Sequence, residues 1–227
     1  MPSMNERVFV ITGSTGVTGK AAAREFAEYG ASLVLLGTDS SKLDALVRDL
    51  NLPAARVLAL TADLRKSDAV HSAAEAVIEK FGRVDGVVHL VGGWVGGRLI
   101  SETPQDDFES MLDQHAWTTF HLFREFAPLL AKNKWGRVIV VSSPTATTPQ
   151  GKASAYTAAK AAQENLVLNL AAELKEANVT ANIIQVRSID ADERGKGTTP
   201  DEIVASMLYL CSDAASKVNG MRIPLFR

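Results

Sequence analysis

The chain has 227 residues, 46% of them hydrophobic and 22% charged, with a formal charge of −2, which is length enough for one α/β domain with a substantial core. There is no basic surplus to recruit nucleic acid, no run of the ~18 apolar residues a membrane span needs, and no apolar signal core in the polar start; a cytoplasmic protein without nucleic-acid or membrane partners is expected. One cysteine, Cys211, excludes an internal disulfide, and His71, His89, His115 and His121 lack metal-ligand spacing, so no metal is expected.

A first strand is expected at 8–11. After it come Thr12-Gly13-Ser14-Thr15-Gly16-Val17-Thr18-Gly19 and a helical run. Glycines there allow a tight turn and close backbone approach, and the helix start offers unpaired N–H groups and a positive dipole end to a pyrophosphate. Gly13, Ser14, Thr15, Gly16, Val17 and Gly19 are therefore candidate cofactor-binding residues. The second strand, 32–36, runs into Gly37-Thr38-Asp39. An acidic residue at its end would favour NAD(H) and an arginine NADP(H); neither stands there. Asp39 comes two residues late, where it would serve as a helix cap, and Thr38 leaves room for a phosphate without charge, so the preference is open.

Leu43, Leu46, Val47 and Leu50 mark an amphipathic helix, as do Val70, Ala73, Ala74, Val77, Ile78 and Phe81, with a strand at 57–60 between them. A fourth strand at 86–91 leads into glycine-flanked Trp94, whose face could stack on a flat substrate. Thr103 and Pro104 read as N-cap and first residue of a long helix that Pro128 should kink or interrupt. That helix carries His115, Trp117, Phe120, Phe123 and Phe126; Trp117 reads as core or interface. A fifth strand at 137–141 ends at Ser142-Ser143. A helix over 156–177 follows, then a strand at 179–184, a short charged and solvated connection, a helix from Thr199-Pro200 with Cys211 as a buried thiol, and a strand at 221–225. Strands alternating with helices, most strands being continuous apolar runs, predict a single Rossmann-like doubly wound parallel sheet of about seven strands in one domain, 1–227.

Tyr156 and Lys160 are four apart, on one helix face. A phenol of ordinary pKa ~10 is a poor acid–base group at neutral pH, and a neighbouring ammonium lowers it. Ser143 lies at a strand carboxyl end, where ligands sit in parallel sheets. With the glycine loop, in this order, these residues resemble the short-chain dehydrogenase/reductase family over nearly the whole chain. The resemblance implies that Tyr156 is the general acid–base, that Lys160 holds the nicotinamide ribose and tunes Tyr156, and that Ser143 binds the substrate oxygen. It also implies cofactor contacts at Asp63, Leu64, Val91 and Gly92, and a dimer or tetramer of identical chains.

This chain departs from the family in several places. The glycine pattern is T-G-x-x-G-x-x-G, His89-Leu90-Val91-Gly92 replaces the usual Asn-Asn-Ala-Gly, and His115 replaces the helix asparagine that supports a relay water. His115 either holds such a water or is a satisfied structural histidine. The segments around Trp94 and His115, with the short connection at 187–199, are locally similar to dihydropteridine reductase within the same family, which implies a quinonoid heterocycle as one substrate class beside a small carbonyl or alcohol. The alternative function is an NAD(P)-binding sensor or scaffold without turnover.

Overall fold

A computed structural model describes residues 4–192 and 194–226; residues 1–3 of the polar start, Glu193 of the charged connection and Arg227 lie outside the described residues. The apolar runs form β1 (Val8–Thr12), β2 (Ser32–Gly37), β3 (Val57–Thr61), β4 (Gly86–His89), β5 (Gly136–Ser142), β6 (Val179–Gln185) and β7 (Arg222–Pro224). All pair in parallel, in the order β3-β2-β1-β4-β5-β6-β7. The direction of winding reverses between β1 and β4, which opens a crevice at the carboxyl ends of the strands.

Residues alternate across the sheet with period two. Val10, Val34, Val87, Val140 and Ile183 pack on one face against α3 (Ser67–Phe81), α5 (Thr118–Lys132) and α6 (Ser154–Glu173). Ile11, Leu35, Val88, Ile139 and Ile184 face the other layer, α1 (Val17–Glu28), α2 (Ser40–Leu50) and α7 (Pro200–Leu210). Helices on both faces explain why the strands read as unbroken apolar runs. Among the described residues no helix is long and apolar enough to cross a membrane.

Besides α6, which runs over Ser154–Glu173 rather than 156–177, and β7, which is shorter by one residue at each end than 221–225, three boundaries differ from the sequence expectation for a visible reason. The fourth strand stops at His89 because its neighbour β1 ends opposite, at Thr12, and the Leu90 N–H turns to the Thr12 hydroxyl instead (3.2 Å). Pro104 caps α4 (Gln105–Leu112), while the Thr103 hydroxyl donates to the Leu99 carbonyl. Pro128 does not break its helix: α5 continues to Lys132, held by buried Phe126 and Leu130 on either side. Burying two such side chains, at about 1.5–3 kcal/mol each, offsets the roughly 3 kcal/mol an interior proline costs. The interruption lies earlier, in a π turn at Asp113–Trp117 between α4 and α5. Thr199 and Pro200 open α7 as expected, with a reciprocal capping box between Thr199 and Glu202.

Candidate active site

The crevice is a cleft of about 510 Å³ that starts at the glycine loop and ends at Tyr156 and Lys160. Gly13 takes φ +63°, available to glycine at no steric cost, and a Cβ on Gly19 would lie 2.3 Å from the Gly13 carbonyl oxygen. The first helical residues after Gly16 have no acidic neighbour in the turn and no side-chain cap. Their N–H groups are thus left for an anion. Gly13, Gly16, Val17 and Gly19 line the cleft; Ser14 and Thr15 do not. Ser14 instead ties the loop to β2, its hydroxyl and amide both donating to the Leu36 carbonyl.

A second depression, about 210 Å³, gathers Thr38, Asp63, Leu64, Arg65, Gln114 and Val91. Val91 also lines the main cleft, with Gly92 beside it. Together they give the elongated shape a dinucleotide needs. Asp39 is drawn away, accepting from the Lys42 amide and the Ser41 hydroxyl at the start of α2. Asp63 is held well below the usual carboxylate range by its two-pronged bond to Arg65.

Ser143 sits just past β5, nearly buried. Its oxygen accepts from the Thr145 amide (3.3 Å) and the Thr145 hydroxyl (3.0 Å), which leaves its own O–H to donate. Tyr156 lies in the first turn of α6; burial pushes its phenol above the ordinary value, and the Ser143 hydrogen bond opposes that. The direct tuning expected from Lys160 is not seen. The Lys160 ammonium is held by the Val141 carbonyl (3.0 Å) and the Gln163 amide oxygen (2.8 Å), and burial lowers its pKa to about 7.

His115 is buried on the π turn, edge to face with Tyr156 at 5.5 Å between ring centres. Its Nε2 bonds the Gly93 carbonyl (2.9 Å) and so carries the hydrogen, leaving Nδ1 as an acceptor. Burial, reinforced by Lys160, lowers its pKa to about 3. His89 is neutral for the same reasons, also at about 3, with Nδ1 2.7 Å from the Thr12 hydroxyl.

Five buried side-chain atoms among the described residues lack a hydrogen-bond partner: Thr18 Oγ1, His115 Nδ1, Ser142 Oγ, Arg137 Nε and Thr157 Oγ1. The first three belong to residues lining the cleft. Buried polar atoms are ordinarily satisfied, so this clustering, with the Gly19 constriction and the open helix start, fits a polar dinucleotide. Thr18, Ser142, Thr145, Gln163, Arg65 and Arg187, the last of which lines the cleft, were not singled out from sequence. Of these only Ser142, beside Ser143, and Thr18, inside the glycine loop, carried a local signal.

Trp94 stands at the mouth, 64% exposed. Trp117 is half exposed rather than core and packs on Phe120 and His121, whereas Phe123 and Phe126 are buried. Cys211 is buried, its thiol pushed up to about 12. The short connection is tied rather than loose: Asp190 accepts from the Arg194 and Lys196 amides, and its backbone bonds that of Thr198. Ser188, Ile189 and Ala191 close one side of the cleft.

The model of the short chain dehydrogenase family matches residues 7–201. The chain is 29% identical over 229 residues to 7alpha-hydroxysteroid dehydrogenase of Escherichia coli K12, covering 93% of this chain and 89% of that one. It is 30% identical over 238 residues to meso-2,3-butanediol dehydrogenase of Serratia marcescens, covering 97% and 93%. A solved short chain dehydrogenase from Bacillus anthracis superposes with a TM-score of 0.90 at 26% identity, over 98% of this chain and 95% of that one. The sheet order, the glycine cleft and these matches agree, and the chain belongs to the short chain dehydrogenase family, as an NAD(P)-dependent oxidoreductase of that type.

Proposed function

We propose that this protein moves a hydride between a nicotinamide and the carbon of a small carbonyl, alcohol or quinonoid heterocycle, with Tyr156 as the proton donor and acceptor. The observation that carries this reading is the convergence of Ser143, Tyr156 and Lys160 beside a cleft that begins at the glycine loop. The cofactor, NAD(H) or NADP(H), supplies or accepts the hydride when bound. In the reductive direction the substrate oxygen gains a proton from Tyr156, which burial keeps protonated at neutral pH. Ser143, whose acceptor positions are both taken by Thr145, turns its one O–H from the phenol to that oxygen. Gly13, Gly16, Val17 and Gly19 hold the pyrophosphate; Thr38, Asp63, Leu64, Val91 and Gly92 line the adenine side and the path to it. His115 Nδ1 offers an acceptor beside the phenol, and Trp94 a flat apolar face for substrate.

The relatives' names point to hydroxysteroid and diol substrates for those proteins; the exposed Trp94 favours a planar one here. The test is a fluorescence titration with NADH and with NADPH, repeated with quinonoid dihydropterin and a panel of carbonyl compounds. Tyr156→Phe should bind cofactor normally and lose nearly all turnover. Full activity in that variant refutes the mechanism, and failure to bind either nucleotide refutes the reading altogether. A homo-oligomer is part of the proposal, supported by half-exposed Trp117 and Phe120; a monomeric mass at micromolar concentration refutes it.

A further inference from the structure

Lys160 is buried, yet the role left to it by the family resemblance, holding the nicotinamide ribose, is served best by an ammonium, whose hydrogen bonds are charge-assisted. An ammonium out of water survives only if its N–H groups are accepted. Two are: one by the Val141 carbonyl at 3.0 Å, one by Gln163 Oε1 at 2.8 Å. The third is left for the cleft, which Lys160 lines.

Gln163 is itself wholly buried, one turn along α6 from Lys160. Its other end, Nε2, donates to Thr119 Oγ1 at 2.9 Å and more weakly to the His115 carbonyl at 3.4 Å. Thr119 Oγ1 in turn donates to the His115 carbonyl at 2.6 Å. The direction of the amide follows from these bonds. Thr119 has committed its hydrogen, so it can only accept, and the ammonium can only donate. Gln163 is therefore locked with its oxygen toward Lys160 and its nitrogen toward the π turn. No other arrangement satisfies both neighbours.

We propose that Gln163 is a positioning residue, anchored through Thr119 to the π turn, that keeps Lys160 protonated and aimed into the cleft. The inference rests on the oxidoreductase reading only for what the held charge is used for. Other charged and titratable groups around Lys160 do not replace Gln163. His89 on β4 and His115 on the π turn are neutral, Tyr156 is protonated, and Cys211 lies in the opposite core layer. Glu164 on α6 favours the ammonium, but its buried carboxylate already accepts from Gln185 on β6 and Arg222 on β7. Gln163 is the side chain in direct contact.

The experiment is an NMR titration of the Lys160 side chain in lysine-¹³Cε-labelled protein, its resonance assigned by its loss in Lys160→Met. A hydrogen bond to a charged group is worth enough to move a protonation equilibrium roughly tenfold or more. Gln163→Leu should therefore lower the Lys160 midpoint by about one pH unit or more. Gln163→Glu, which sets a carboxylate against the ammonium, should raise it, and Thr119→Val, which keeps the contact but removes its anchor, should lower it less than Gln163→Leu. Alkaline loss of NADH affinity should follow the same order. A residue that merely filled space would change melting temperature without moving the midpoint. Coincident Lys160 titrations in the native protein, Gln163→Leu and Gln163→Glu overturn the proposal, as does a shift of the same sign in both. If Gln163→Leu does not fold, Gln163→Glu and Thr119→Val still decide it by the sign of their shifts. Normal turnover in Tyr156→Phe would refute the mechanism while leaving these titrations interpretable.

Discussion

Replacing Gly19 with alanine should separate cofactor binding from folding. The new methyl would sit 2.3 Å from the Gly13 carbonyl oxygen and 2.7 and 2.8 Å from backbone atoms of Ser14. All three are main-chain atoms, so no side chain can swing aside, and the loop must move by about 1 Å to reach ordinary contact. Overpacking of this kind costs about 1–3 kcal/mol. For a chain of this size that corresponds to a melting point lower by roughly 2–12 °C. The same 1 Å carries the N–H groups at the start of α1 out of hydrogen-bond range of an anion. Each such bond to a charged group is worth about 1.5–3 kcal/mol, so the dissociation constant for the preferred nucleotide should rise roughly 10- to 100-fold. Gly16→Ala separates the two effects: its Cβ meets only the Gly13 oxygen at 3.3 Å, a clash of a few tenths of an ångström, so the melting point should stay near native while the methyl, on a residue that lines the cleft, weakens nucleotide binding. Fluorescence titration and calorimetry on the three proteins measure both effects. Native affinity in Gly19→Ala and Gly16→Ala alike would refute the assignment of this loop to the pyrophosphate.

His89 and His115 should make the fold acid-sensitive. Their pKa values are lowered to about 3 by burial, against ~6.5 unfolded. The stability they allow is therefore present above pH 6.5 and is lost as pH falls toward 3, because the unfolded chain binds the protons first. Between pH 7 and 5 each should cost about 2 kcal/mol; urea denaturation at both pH values should show roughly half of the pair's loss removed by His115→Asn, and an unchanged slope would count against the buried neutral assignment. Trp94→Ala should leave stability within about 0.5 kcal/mol, since the side chain is 64% exposed. It should raise KM for a planar heterocycle or aromatic carbonyl about tenfold while sparing a small aliphatic one; equal effects on both would rule out stacking.

The primary structure determined the layers and the polar signals at their ends. Alternating apolar runs and helical periodicities specify burial on both faces of a parallel sheet, and period-two alternation sends Val10 and Ile11 to opposite cores. Tyr156, Lys160 and the glycine loop were legible because their spacing is local: one helix face, one βα turn. The Thr199 cap was legible for the same reason.

Contacts between distant segments were decided only in three dimensions. The three-residue spacing brings Gln163 near Lys160, but what turns its amide oxygen toward the ammonium is Thr119, 44 residues away on α5. Thr145 takes both acceptor positions of Ser143 through a turn whose geometry its residues do not announce. Pro128 suggested a break that burial of Phe126 and Leu130 overrides, while the π turn at Asp113–Trp117 had no such marker. Periodicity reports which side of an element is buried; which hydrogen bond a buried polar group makes depends on the element that packs against it.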